Sequence, residues 1–135
     1  MLEKTITLLA NQSLCSISYS LRNNGKNADE FRLGTVLGLT PPYGNAAQSY
    51  YQIKGKNHSL QGHGELLEVG EVNLVDERMG FALSLALSKP ATLWRLPLES
   101  AGGVYQGSIL MPYWRLHLKP GETGSVTLTL RFEER

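Results

Sequence analysis

Apolar residues alternate with serine in the stretch Cys15-Ser16-Ile17-Ser18-Tyr19-Ser20-Leu21. Successive side chains of a β-strand point to opposite faces, so this pattern predicts a strand with one face in a core and the other in solvent. The same alternation recurs at residues 81–88 and 125–132. All three segments therefore predict half-buried strands.

Turn signals rich in Gly, Pro and Asn separate the other apolar runs. Asn23-Asn24-Gly25-Lys26-Asn27 predicts a hairpin, because Asn and Gly accept the positive φ values that tight turns require. Pro90 is expected to end one strand before the next begins. Residues 40–64 are too rich in Gly and Pro for a long regular element and predict an extended irregular insertion. Further strands are predicted at residues 6–8, 31–39, 68–75, 93–98 and 104–118.

These segments amount to roughly eight or nine strands without a window of helical period. The pattern predicts an all-β fold, an antiparallel two-sheet β-sandwich. A chain of 135 residues is the size of one domain, so residues 1–135 are expected to form a single sandwich. No internal repeat suggests a propeller or solenoid.

Composition excludes several classes of function. The formal net charge is +1 and no Lys/Arg cluster could follow a phosphate backbone, so nucleic acid is not an expected partner. No apolar run approaches the roughly 20 residues that span a bilayer, and the first residues lack the pattern of a signal peptide. The chain is therefore expected to avoid membranes and to be cytoplasmic. Its single cysteine, Cys15, is expected to be a small core residue.

Catalytic and metal-binding patterns are weak. The histidines are His58, His63 and His117, and none lies in a motif of nucleophilic catalysis or has the spacing of metal ligands. His117 alternates with leucines and is expected to face solvent. The acidic residues are expected at exposed or turn positions. The sequence thus predicts no catalytic residue, no metal and no cofactor.

Aromatic residues offer a candidate binding surface. In the stretch 104–116, aromatic rings stand beside Gln and Ser, which suits the C–H and OH groups of a sugar and equally suits a sheet core. Because neighbouring strand residues face opposite sides, only one of Tyr105 and Gln106 can enter the core. Trp94 and Trp114 are expected mainly in the core. Tyr43, Tyr50 and Tyr51 in the irregular segment either pin their loop or form a sugar platform.

Several segments in order resemble a known family. They are 94–100 (Trp-Arg-Leu-Pro-Leu-Glu-Ser), 104–108 (Val-Tyr-Gln-Gly-Ser), 114–116 (Trp-Arg-Leu) and 120–122 (Pro-Gly-Glu), with an opening at 2–8 and a Leu-Val-Asp-Glu segment at 74–77. This arrangement resembles the C-terminal β-sandwich domain of family 57 glycoside hydrolases of the α-amylase/4-α-glucanotransferase type. The resemblance implies a galactose-mutarotase-like sandwich that is not itself catalytic. The catalytic barrel of such enzymes is absent from the chain, which is expected to be a fragment or a free-standing relative.

The residues that match the family pattern are Trp94, Glu99, Tyr105, Gln106, Gly107, Ser108 and Trp114. With Tyr50 and Tyr51, the candidates for contact with carbohydrate or another domain are Trp94, Glu99, Tyr105, Gln106 and Trp114. The expected partners are an α-glucan or a catalytic barrel domain, and self-association stays open.

Two functions follow from these observations. The first is a non-catalytic accessory domain that assists glucan binding or braces the barrel, which an exposed aromatic row would favour. The alternative is an interaction module that docks a partner domain or another copy of itself without binding sugar, which a broad flat apolar patch would favour. A mutarotase-like enzyme would need His63 or His117 beside an acid at the floor of a pocket.

Overall fold

The computed structural model describes residues 1–40 and 48–135, in which ten strands and no helix occur. Every strand pairing is antiparallel, so the predicted all-β sandwich is confirmed. The strands are β1 Leu2–Leu8, β2 Leu14–Arg22, β3 Asp29–Gly34, β4 Leu37–Leu39, β5 Ser49–Ile53, β6 Lys56–Ser59, β7 Gly64–Asp76, β8 Phe81–Glu99, β9 Tyr105–Leu118 and β10 Thr123–Glu134.

Two layers share the long strands β7 and β8. In the first layer the strands follow the order β1, β2, β10, the first half of β8, the second half of β7, β5 and β6. The second layer contains β3 and β4, then β9, then the second half of β8 beside the first half of β7. The core lies between these layers, where the inward side chains of β2, β9 and β10 meet.

The alternating segments build this core as their period predicts. Ile17 pairs with Leu128 and Tyr19 with Val126, and all four side chains are buried. Tyr19 reaches the opposite layer, since its hydroxyl lies 2.8 Å from the Thr35 hydroxyl. The interior of a two-layer sandwich is thus closed by apolar packing and by at least one hydrogen bond between side chains of different layers.

Strand β8 continues through Pro90, which contradicts the prediction that this residue ends a strand. Pairing with β10 stops at Leu87 and pairing with β9 begins at Thr92, so Pro90 lies at a corner where its missing N–H costs no ladder bond. Opposite this corner the register of β7 shifts, and Glu68 has a φ of 55°. This bulge lets both strands turn from one layer into the other.

The predicted hairpin at residues 23–27 is wrong. Strand β2 pairs with β1 and β10, whereas β3 pairs with β9, so the turn crosses between layers. Asn23 is buried there, and its side-chain amide donates to the backbone oxygens of Asn27 and Leu118, both at 2.9 Å. None of residues 23–27 has a positive φ, so the tight-turn conformation expected of Asn and Gly is also absent from this segment. Local sequence does not reveal which strand becomes the neighbour.

Two predicted segments are subdivided in the structure. Residues 31–39 form β3 and β4, separated at Thr35 and Val36. The segment predicted as irregular contains the hairpin of β5 and β6, whose turn residues Lys54 and Gly55 both have positive φ, as a type I′ turn requires. Residues 41–47, with Pro41-Pro42, Tyr43 and Gly44-Asn45, lie outside the described residues.

Candidate functional site

The second layer presents an apolar outer face to solvent. It is formed on β8 and β9 by Trp94, Leu96, Leu98, Ile109 and Met111. Trp94 pairs with Met111 and Leu96 with Ile109, so these side chains share one side of the sheet. Trp94 is 49% exposed, and Leu96 and Leu98 are exposed to a similar extent. The face exists because these residues alternate with the buried Leu93 and Leu110, which point to the core.

A hollow of about 480 Å³ adjoins this face at the corner of β7 and β8. We call it the corner hollow. It combines carboxylate, ammonium, guanidinium, hydroxyl and phenol groups at one opening. The polar residues that line it are Glu65, Glu68, Lys89, Thr92, Tyr113 and Arg115.

Tyr113 connects the corner hollow to the apolar outer face. Its hydroxyl donates to Glu65 Oε1 at 3.1 Å, which orients the carboxylate. The edge of its ring meets Trp94, with ring centroids 5.9 Å apart and an interplanar angle of 84°. Two aromatic rings and a held carboxylate therefore stand together, an arrangement that suits a ligand with both apolar C–H patches and hydroxyl groups.

Tyr113 was not among the candidates from sequence, although alternation could have identified it. Trp114 is only 5% exposed, and its indole Nε1 donates to the Lys89 oxygen at 2.9 Å across the corner. Once Trp114 faces the core, its neighbour Tyr113 must face outward. The expectation that both tryptophans lie mainly in the core holds for Trp114 and is wrong for Trp94.

The remaining candidates are distributed between the interior and the surface. Tyr105 is buried and Gln106 is exposed, as strand alternation requires. Glu99 is exposed at the end of β8. Tyr50 is partly buried and its hydroxyl donates to Glu77 Oε1 at 3.2 Å, whereas Tyr51 is only 1% exposed. Tyr50 and Tyr51 thus form no shared aromatic surface, and neither belongs to the corner hollow.

Buried polar groups gather instead beneath the second layer, between β5, β8 and β9. Arg95 is 8% exposed, donates to the Ser59 oxygen at 3.2 Å and lies 5.9 Å from the centre of the Tyr51 ring. The hydroxyls of Tyr105 and Ser108 form a hydrogen bond of 2.6 Å. We call Tyr51, Arg95, Tyr105 and Ser108 the polar cluster. Within the described part of the chain, Tyr51 Oη and Arg95 Nε have no hydrogen-bond partner.

Burial controls the ionisation of the polar cluster. It raises the pKa of Tyr51 to about 12, while Ser108 and Arg95 oppose the shift only in part. The Ser108 hydroxyl lies near enough to lower that pKa, but its short 2.6 Å hydrogen bond is to Tyr105. Burial also lowers the pKa of Arg95 and raises that of Tyr105. The two tyrosines therefore stay neutral and Arg95 stays charged at neutral pH, so the cluster supports the hairpin of β5 and β6 rather than acting as an acid or base.

The histidines do not form a buried catalytic pair. His117 Nε2 lies 3.2 Å from Glu30 Oε2, but the His117 side chain is 79% exposed, so the pair lies on the open surface rather than at a pocket floor. His63 is also exposed. The described residues include no group of three His, Cys, Asp or Glu side chains that could hold a metal ion. In residues 1–40 and 48–135 there is likewise no helix of the length and hydropathy needed to cross a membrane.

Solved structures share this fold at low sequence identity. A candidate aldose 1-epimerase from Escherichia coli K12 matches 99% of this chain over 60% of its own, with a TM-score of 0.80 and 15% identity. A galactose mutarotase related enzyme from Lactobacillus acidophilus matches 98% of this chain with 62% of its own, at a TM-score of 0.72 and 13% identity. The chain therefore spans about 60% of these mutarotase-type proteins.

A glucanotransferase contains the same fold as part of a larger chain. The 4-α-glucanotransferase from Thermococcus litoralis matches 96% of this chain over 18% of its own, with a TM-score of 0.60 and 17% identity. No curated protein sequence matches at a significant level. Residues 1–128 match the family described as α-amylase/4-α-glucanotransferase, C-terminal. The chain therefore belongs to the family of C-terminal domains of α-amylases and 4-α-glucanotransferases, and it has their galactose-mutarotase-like sandwich fold.

Proposed function

We propose that this chain is a non-catalytic accessory domain of an α-glucan-acting enzyme and that it contacts the glucan at the corner hollow. The observation that carries the proposal is the half-exposed indole of Trp94, packed edge to face on Tyr113, which lines that hollow. Family membership supplies the ligand class, since the family is that of amylase and glucanotransferase C-terminal domains.

The chemistry of the corner hollow supports a neutral polyhydroxylated ligand. Aromatic rings cover the apolar C–H patches of a pyranose, and the Glu65 carboxylate accepts hydrogen bonds from sugar hydroxyls. Lys89 and Arg115 also line the hollow and can donate hydrogen bonds to a ligand there. Because both signs of charge line the opening, it has no strong preference for a charged ligand.

Tryptophan fluorescence tests this proposal directly. Trp114 lines the corner hollow and Trp94 packs on Tyr113 beside it, so a fluorescence change on titration with maltoheptaose reports on binding there. We expect saturable binding that Tyr113→Ala weakens by about ten-fold, which corresponds to roughly 1.4 kcal/mol for a lost ring contact. Tyr50→Ala is the matched control, because Tyr50 lies away from the corner hollow. Absence of saturable binding by the parent protein, or equal loss in both variants, would contradict the proposal.

A second candidate function rests on the rest of the apolar outer face. Leu96, Leu98 and Ile109 carry no hydrogen-bonding group, yet Leu96 is 54% exposed and Leu98 is 43% exposed. A flat aliphatic surface suits a protein partner better than a sugar. We propose that this part of the face braces a catalytic barrel domain, which the 18% coverage of the larger glucanotransferase chain makes physically reasonable.

Co-purification tests the bracing function. An α-glucan-acting catalytic barrel from the same organism, produced separately, should co-purify with the parent protein but not with Leu96→Lys/Leu98→Lys. Glucan binding should survive this double substitution, because neither leucine lines the corner hollow. Retention of the barrel by the double variant would place the contact on another surface.

A further inference from the structure

Strand β1 forms a long edge of the first layer that no other strand of residues 1–40 and 48–135 covers. All seven of its residues are exposed, and among these residues it pairs only with β2. The opposite edge strand of this layer, β6, has four residues, and the β3–β4 edge of the second layer is interrupted at Thr35 and Val36. Short or broken strands protect a sheet against pairing with other chains, and β1 lacks both protections.

The backbone of β1 offers regularly spaced hydrogen-bonding groups to the free edge. Met1 and Arg22 exchange two hydrogen bonds, from Met1 N to the Arg22 oxygen and from Arg22 N to the Met1 oxygen, both at 2.9 Å. Pairs alternate along an antiparallel ladder, so the odd-numbered residues of β1 bond to β2. The even-numbered residues, Leu2, Lys4, Ile6 and Leu8, therefore direct their N–H and C=O groups away from β2.

The same four residues share the side of the sheet that faces the core elsewhere. They pair with Leu21, Tyr19, Ile17 and Cys15 of β2. Near β1 the side chains on this side are exposed, and Leu8 is 75% exposed. The Lys4 ammonium lies 5.6 Å from the centre of the Tyr19 ring, so it folds back over β2 and does not guard the edge.

We propose that a second copy of this chain extends the first layer by antiparallel pairing of β1 with β1, with the two Thr5 residues facing each other on a two-fold axis. In this register Leu2 of one copy pairs with Leu8 of the other, and Lys4 pairs with Ile6. All of these are even-numbered residues, so their free backbone groups meet and each pair exchanges two hydrogen bonds.

Charge and apolar matching select this register over its neighbours. Centring the pair on Lys4 would place two ammonium groups directly opposite each other, which is unfavourable. Centring it on Ile6 would leave Leu2 of each copy without a partner. The register centred on Thr5 places no like charges opposite and pairs every leucine of β1, so the strand is complementary to itself, as an isologous two-fold contact requires.

Sedimentation equilibrium of the whole chain over a concentration series tests the proposal. We expect a reversible monomer–dimer equilibrium that Ile6→Pro abolishes. The Ile6 N–H points to the free edge, so proline there spares the bonds to β2. Leu9→Lys is the control, because Leu9 is an exposed leucine just beyond the end of β1 and should leave the dissociation constant unchanged.

Charge substitutions test the register itself. Ile6→Lys places an ammonium opposite Lys4 of the other copy at two symmetric positions and should raise the dissociation constant about five-fold or more. Lys4→Glu/Ile6→Lys converts both contacts to opposite charges and should restore dimerisation. A protein that stays monomeric up to about 1 mM overturns the proposal. The proposal is also overturned if Ile6→Pro still forms the dimer. It is overturned as well if Lys4→Glu/Ile6→Lys does not restore the dimerisation that Ile6→Lys weakens.

Discussion

Tyr51→Phe should stabilise the protein, although it removes a polar group from a well-packed site. Tyr51 is 1% exposed and its hydroxyl has no hydrogen-bond partner within the described residues. An unsatisfied buried hydroxyl costs roughly 1–3 kcal/mol, and its ring contacts survive in phenylalanine. We expect the free energy of unfolding at pH 7 to rise by about 1 kcal/mol.

Tyr105→Phe is the matched comparison with the opposite sign. The Tyr105 hydroxyl lies 2.6 Å from Ser108 Oγ, which retains only a long 3.5 Å contact to the Leu60 oxygen once the tyrosine hydroxyl is removed. Losing one partner of a buried hydrogen bond costs roughly 1–2 kcal/mol. The two substitutions delete the same atom from neighbouring rings, so their difference isolates the effect of hydrogen-bond satisfaction.

Alkaline pH should enlarge the benefit of Tyr51→Phe. The pKa of Tyr51 is raised from 10.0 to about 12, so Tyr51 ionisation leaves the stability of the parent unchanged below pH 10 and lowers it as the pH rises towards 12, because the unfolded chain ionises first. A pKa shift of this size lowers the free energy of unfolding of the parent by about 3 kcal/mol at pH values above both pKa values, and by about half of that at pH 11. Tyr51→Phe does not titrate and escapes this loss.

Urea unfolding at pH 7 and pH 11, followed by tryptophan fluorescence, measures both effects. The expected order of stability at pH 7 is Tyr51→Phe, parent, Tyr105→Phe. The reasoning fails if Tyr51→Phe is destabilised as much as Tyr105→Phe. It also fails if the advantage of Tyr51→Phe over the parent does not grow at pH 11.

Three further substitutions test other contacts. Gly107→Ala should lower the free energy of unfolding by about 1 kcal/mol or more, because a Cβ there would lie 3.1 Å from a backbone oxygen of the neighbouring strand. Gly38→Ala should be tolerated, because a Cβ at Gly38 would have nothing within 4 Å. Urea unfolding of both variants measures the difference. Trp114→Phe should cost about 1–2 kcal/mol by removing the indole bond at the corner, seen as a lower Tm than that of the parent. Arg95→Met should raise the pKa of His58, which is lowered by burial and then by Arg95 and Lys56, and an NMR titration that finds it unmoved would contradict this contact.

Alternation in the sequence was enough to predict the layers and much of the core, but not the neighbours of each strand. Ile17 and Tyr19 lie inside because period two depends only on the local backbone. The partner of β3 depends on a turn that crosses between layers, and the turn signal at Asn23 is the same for either route. The prediction that Pro90 ends a strand was wrong for a related reason, since a proline interrupts a strand only where a neighbouring strand would need a backbone N–H at that position.

The candidate site was predictable only in part. Tyr105 and Gln106 were divided correctly by alternation, while the exposure of Trp94 depends on what covers the second layer, which local sequence does not encode. Tyr113 lacked a motif of its own and became visible as a candidate only through its contacts with Glu65 and Trp94. Functional surfaces that are assembled from several strands leave little trace in any one segment.

The shared strand β8 also bears on how the domain unfolds. Its first half is held by β10 and its second half by β9, with a single uninterrupted backbone between them. Opening either layer would break the pairing of β7 and β8 that continues into the other, so the layers should not melt separately. Amide exchange should therefore report one cooperative unit that includes Leu85 and Leu93, with equal protection on both sides of the corner.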